Sequence, residues 1–151
     1  MADLPTVQTL DDSLRWLDRV DGSPGVKATG AWPLGAVLEH LAQSIEMSMD
    51  GFPVPRSALF QSTAGSAAFS WFKWRGRMSH GLDEPIPGAP SLTASADWKP
   101  ASKRLRDAIR RFNAYNGALK PHFAYGQLSK TEFAMAHHMH IVNHQDEIRL
   151  A

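Results

Sequence analysis

The sequence predicts an all-α protein: a four-helix bundle with a long crossover between its second and third helices. Three observations carry this expectation. Apolar residues recur at helical spacing in four separate segments. Strand signals are poor throughout the chain. A long proline-rich stretch separates the second periodic segment from the third, and a connection of that length fits a bundle with a crossover.

The first helix is expected over residues 10–20, in "QTLDDSLRWLDRV". Thr9 suits the N-cap, and Leu10, Leu14, Leu17 and Val20 share one face. Gly22, Pro24 and Gly25 end it. The second spans residues 33–50, with Pro33 in the first turn and Gly51 just past the end. Leu34, Val37, Leu38, Leu41, Ile45 and Ser48 line its inner face. The crossover follows, with "GFPVPRS", "SAAFSWFKWRGRM" and "EPIPGAPSLTASADW" in turn. Its middle part has the makings of a short extra helix, with Phe69, Trp71, Phe72 and Trp74 packing over a bundle end. The third helix is expected over 100–116, with Leu105, Ala108, Ile109 and Phe112 turned inward. The fourth, over 130–150, opens at "SKTE", where Ser129 and Glu132 have the spacing of a capping box.

Composition bounds the function. At 151 residues the chain is expected to form one domain, residues 1–151, with a real core. A net charge of +1 predicts no strong attraction to nucleic acid or acidic lipid. Lys103, Arg104, Arg106, Arg110 and Arg111 cluster in the third helix, but on the back of its apolar face. With no cysteine, disulfides and thiolate ligands are excluded. No apolar run approaches the roughly 20 residues that span a bilayer. The first residues lack the basic and apolar regions of a signal peptide. A cytoplasmic protein is the expectation.

The histidines are distributed unevenly. Four of the seven, His137, His138, His140 and His144, fall within "AHHMHIVNHQDEI". On a helical wheel His144 lies about 40° from His140, His137 about 60° away, and Glu147 about 20° to the other side. His138 points to roughly the opposite side. Phe133 and Ala136 share the face of His140. Two imidazoles one turn apart can reach one ion. A third ligand must come from another helix, and His40 at the rim of the second helix's apolar face is the candidate. Three neutral imidazoles would leave a divalent cation charged and with open positions. The competing reading is a histidine-rich polar surface, since H-x-x-x-H alone is weakly specific. The H-E-x-x-H of zinc proteases is not present.

"AWPLGAVLEHLAQSIEMSMDGFP", "PGAP" and "PHFAYGQLSKTEFAMAHHMHIVNHQDEI" together resemble a DinB-like protein, in an uncharacterised bacterial branch of the DinB/YfiT-like metalloenzyme superfamily. The likeness runs from about Trp32 to Ile148. It implies a four-helix bundle with three metal-binding histidines, one on the second helix and two on the last. The matching positions are His40, His140 and His144, with His137 as an alternate. The resemblance implies a divalent cation, and imidazole ligands suit zinc, nickel or iron without naming which. It also implies a thiol or water nucleophile, and transferase, isomerase or hydrolase chemistry on a small molecule such as a low-molecular-weight thiol.

The chain departs from the family pattern near the end of the motif, where Asn143 precedes His144 and Glu147 follows it. Glu147 has three roles open to it: orienting a ligand, adding a ligand, or accepting a proton as the catalytic base. A solvated carboxylate is the plain alternative. His122, in "PHFAYG", matches the turn before the last helix and is expected to serve structure. His80 has no identifiable partner in the sequence. The second function class is a non-catalytic metal-binding or stress-response protein in which the ion staples helices two and four. A homodimer is also expected, because two-fold pairs are the commonest oligomers.

Overall fold

The computed structural model describes residues 10–79, 82–93 and 95–150. The Thr9 cap and His80 lie outside the described residues. Four helices make the bundle: α1 (Leu10–Gly22), α2 (Leu34–Asp50), α5 (Lys99–Ala114) and α6 (Lys130–Gln145). The crossover carries a helical rod built of one turn, α3 (Ala58–Phe60), a π-helical segment, Gln61–Gly65, and α4 (Ser66–Arg75). Two short strands, β1 (Val26–Ala28) and β2 (Ile148–Leu150), pair antiparallel with Lys27 opposite Arg149. No described helix is long and apolar enough to cross a membrane.

The four long helices form a ring in which α5 touches α1 and α2, and α6 touches α2 and α1. Their apolar stripes meet in the middle. Leu17 and Val20 of α1, Leu38, Leu41 and Ile45 of α2, Leu105, Ile109 and Phe112 of α5, and Phe133 and Ile141 of α6 are all buried. The stripe on α2 is broad. It buries Leu34, Val37, Leu38, Leu41, Ile45 and Ser48, and also His40, Gln43 and Ser44. A helix packed on two neighbours buries more than one stripe, which is how polar side chains of α2 come to lie inside.

Local signals place the ends. Ser129 Oγ accepts from the Glu132 amide at 3.1 Å, and the Glu132 carboxylate accepts from the Ser129 amide at 3.2 Å. This reciprocal cap starts α6, as "SKTE" predicts. The other end differs from expectation. Helix α6 stops at Gln145 rather than running to residue 150. The last carbonyls of any helix lack intrahelical partners. Two residues past the helix, the Glu147 carbonyl accepts from Thr29, through its amide at 2.7 Å and its hydroxyl at 3.0 Å. Ile148–Leu150 then joins β1, and Ile148 is buried there.

The basic face of α5 also differs from the solvated back expected of it. Arg104 binds Glu46 and Glu39 of α2, Arg106 binds Asp18 and Asp21 of α1, and Arg111 binds Asp50 of α2. These arginines flank the apolar seam and tie α5 to both of its neighbours.

The aromatic residues of α4 divide between two sides of the helix. Phe69 is buried and stacks on Tyr125, and Phe72 meets the same ring edge-on. Trp71 and Trp74 do not pack over the bundle end. They stack on each other with 54% and 79% of their surface exposed. Positions 69 and 72 share one side of a helix and 71 and 74 another, so one pair faces the protein and the other faces out. The rod lies close to the turn at residues 122–126. A Cβ at Gly65 would overlap the Ala124 carbonyl oxygen, so only glycine allows this approach.

Candidate metal centre

Helix α2 delivers His40 and helix α6 delivers His140 and His144 to one buried point. The His40 and His140 Nε2 atoms stand 3.1 Å apart. The ring centroids are separated by 4.9 Å for His40–His140, 5.1 Å for His40–His144 and 4.9 Å for His140–His144. One nitrogen from each ring can be chosen so that all three lie within 4.8 Å of one another. All three side chains are buried, His144 completely.

These donors fit a divalent cation. Metal–imidazole bonds of about 2.0–2.1 Å place ligand nitrogens roughly 3.3 Å apart around a tetrahedral ion. The His40–His140 spacing is already near that figure. The set is all nitrogen and carries no charge of its own, which suits zinc, nickel or iron and disfavours hard, oxygen-seeking ions.

Glu147 supports the arrangement from outside. Its Oε1 lies 3.0 Å from His144 Nδ1. An ionised Glu147 accepts there from Nδ1–H, which leaves Nε2 as the lone-pair nitrogen, the tautomer a ligand needs. Only 3% of Glu147 is exposed, and burial, with the Asp83 charge adding to it, raises its carboxyl above the usual carboxylate range. Gly30 makes the seat possible, because a Cβ there would overlap Glu147 Oε2. The carboxylate therefore reaches His144 from the turn after α6, not from a further helical turn. Replacing Glu147 with glutamine is expected to weaken metal affinity about ten- to a hundredfold while the fold persists. Competition with a chromophoric chelator measures this, and an unchanged affinity would remove Glu147 from the centre.

Trp32, just before α2, closes one side. Its ring stacks parallel to His144 at 6.4 Å and meets His40 edge-on at 5.1 Å. A cavity of about 190 Å³ lies beside the cluster. His40 and His140 line it, together with Ser44, His137, Tyr125 and Ile86 among others. Part of its wall comes from the crossover, at Met78 and Glu84–Pro87.

The other described histidines, His122, His137 and His138, stand apart from the three. His137 Nε2 lies 3.0 Å from Ser48 Oγ, and that hydroxyl donates to the Ile45 carbonyl at 2.6 Å. The imidazole is therefore the donor to Ser48. Phe112 meets this ring edge-on and Phe133 stacks on it. His137 lines the cavity without joining the cluster. His138 is half-buried on another side of α6. His122 Nδ1 accepts from the amides of Ala124 and Tyr125, both at 3.1 Å, which fixes the turn before α6. Burial pushes both His122 and His137 down to about 3, so both are neutral.

Sequence reasoning did not single out Trp32, Glu84 or Arg56. Trp32 had a usable signal, an aromatic ring directly before the proline that opens α2. Glu84 and Arg56 had none, since their place depends on how the crossover folds back.

The fold and the site define a class: a helical bundle with a buried three-histidine cluster that could hold a metal, beside a cavity. Over residues 3–150 the chain matches the family described as "Protein of unknown function (DUF1569)", and it belongs to that family. No curated protein and no solved structure matches it.

Proposed function

We propose that this protein is a metal-dependent enzyme of the DinB-like type, acting on a small molecule. The observation that carries the proposal is the cavity on which His40 and His140 open. An ion that only stapled α2 to α6 would need no such space beside it. The placement of one histidine on the second bundle helix and two on the last also supports the DinB-like reading. A divalent cation in this centre supplies Lewis acidity, which activates a thiol or water nucleophile near neutral pH.

The chain's own residues do the rest. His40, His140 and His144 hold the cation. An ionised Glu147 accepts from His144 Nδ1–H and acts as a positioning residue. It does not line the cavity, so of the roles open to it the geometry favours orientation over proton transfer. Met78, Ile86, Phe123 and Tyr125 give the cavity apolar walls that exclude water from the reacting atoms. The reaction is of transferase, isomerase or hydrolase type with a thiol or water as nucleophile.

The test uses cobalt in place of the native ion, because its visible spectrum reports a new ligand. Adding 2-mercaptoethanol to the cobalt-loaded protein is expected to produce a thiolate charge-transfer band. A spectrum indifferent to added thiol, azide or pH would mean a closed coordination shell, and the stapling role would replace the catalytic one.

A further inference from the structure

Arg56 is an exposed residue that lines the cavity, and it differs from Arg104, Arg106 and Arg111 of α5 in how its side chain is held. Its backbone is fixed to the turn before α6. The Arg56 amide donates to the Phe123 carbonyl at 2.8 Å. The Arg56 carbonyl accepts from Gln61 Nε2 at 3.1 Å, and the same amide group donates to the Phe123 carbonyl at 3.3 Å. The side chain is not tied in this way. Its guanidinium lies over the Phe60 ring at 5.5 Å and makes no ion pair with a carboxylate among the described residues. Arg77, Arg104, Arg106 and Arg111 each hold one.

The residues lining the cavity are of three kinds: the histidines His40, His137 and His140, the charged residues Arg56 and Glu84, and the apolar or aromatic residues Met78, Ile86, Phe123 and Tyr125. A pocket of mainly apolar surface reads its ligand through its few polar groups. The planar guanidinium fork matches a carboxylate with two parallel hydrogen bonds. A phosphate, carrying about −1.5 to −2 charges, would call for a second cation. The lining supplies the acid Glu84 instead, so a singly charged anion is the better match.

We propose that the cavity takes a compact carboxylate-bearing molecule, with its carboxylate on Arg56 and its donor atom directed to the three-histidine centre. This rests on the reading of that centre as an open metal site, and it adds a substrate class and a specificity-determining residue. Glu84 disfavours dianions and accommodates an ammonium group on the same ligand.

The probes are 3-mercaptopropionate, which carries a carboxylate, and 2-mercaptoethanol, which does not. Each is titrated into cobalt-loaded wild-type, Arg56→Gln and Arg56→Lys proteins, and the charge-transfer band gives an apparent Kd. Comparing the ratio of the two Kd values between variants cancels the difference in basicity between the two thiols. That ratio is expected to shift about tenfold against the carboxylate in Arg56→Gln, with partial recovery in Arg56→Lys. Because the fixed contacts of Arg56 are made by its backbone, both variants should melt with the wild type. If 2-mercaptoethanol raises the band and the ratio is the same in all three proteins, the Arg56 proposal is overturned while the open metal centre stands. If neither thiol raises a band in the wild type, the proposal is overturned, and if azide and pH also leave the spectrum unchanged, the metal-enzyme reading fails as well.

Discussion

Alanine at His40, His140 or His144 is expected to strip the protein of its divalent cation, while alanine at His138 leaves metal content unchanged. Each of the three supplies one donor to a cluster whose nitrogens lie within 4.8 Å of one another. Losing a group that merely orients a ligand costs about ten- to a hundredfold in affinity, so losing a ligand should cost more. The His137→Ala variant separates binding from packing. His137 is held by Ser48 between Phe112 and Phe133, so its loss should lower stability and leave metal binding in place. Elemental analysis of protein purified without a histidine tag, after dialysis against a weak chelator, measures all five variants together. Equal loss of metal from the His138 and His144 variants would show that the cluster is not the binding site.

The bundle was legible because its signals are local. The Ser129–Glu132 cap lies within four residues, and the stripes of α1, α2 and α5 are periodic within each helix. The direction of His140 and His144 followed from the same periodicity. His40 was legible for a different reason, since a histidine among the leucines of an inner face has few directions available. What the sequence concealed is non-local. The three-residue ladder between β1 and β2 is too short for strand alternation to register, so α6 was expected to run through Glu147. The wheel placed Glu147 beside the histidines, and its carboxylate does reach His144, but from a turn that Thr29 and Gly30 shape. Trp71 and Trp74 were misplaced because an aromatic-rich helix has two candidate inner faces, and only the contact with Tyr125 chooses between them. Arg56 reaches the cavity only because Gln61 and Phe123 hold its backbone, a contact no spacing reveals.

Acid should destabilise the protein well before its carboxylates titrate, and His122 and His137 supply the reason. Both are buried and neutral, with ring pKa values pushed down to about 3 from an ordinary 6.5. Desolvation is the main cause for each, and for His137 the nearby His122 adds to it. The native hydrogen bonds also require neutral rings, since His122 Nδ1 accepts two amide protons. In the unfolded chain both histidines take up protons as pH falls through about 6.5, whereas the folded protein resists until about 3. Between those limits the unfolded state binds more protons, so stability falls as pH falls. Above 6.5 the two states bind alike, and this contribution is flat. Each histidine contributes a slope that approaches about 1.4 kcal/mol per pH unit below 6.5, so the pair removes roughly 4 kcal/mol between pH 7 and 5. That is a large share of a typical domain's stability of about 5–15 kcal/mol. Urea midpoints at pH 7 and pH 5 measure the loss. Two variants isolate its source: His122→Asn keeps an acceptor for the two amides, and His137→Gln keeps a donor for Ser48. Each should flatten the slope by about one histidine's share, and the difference from wild type cancels the contribution of the metal ligands. A slope equal to wild type in both variants would mean that neither imidazole is held neutral by the fold.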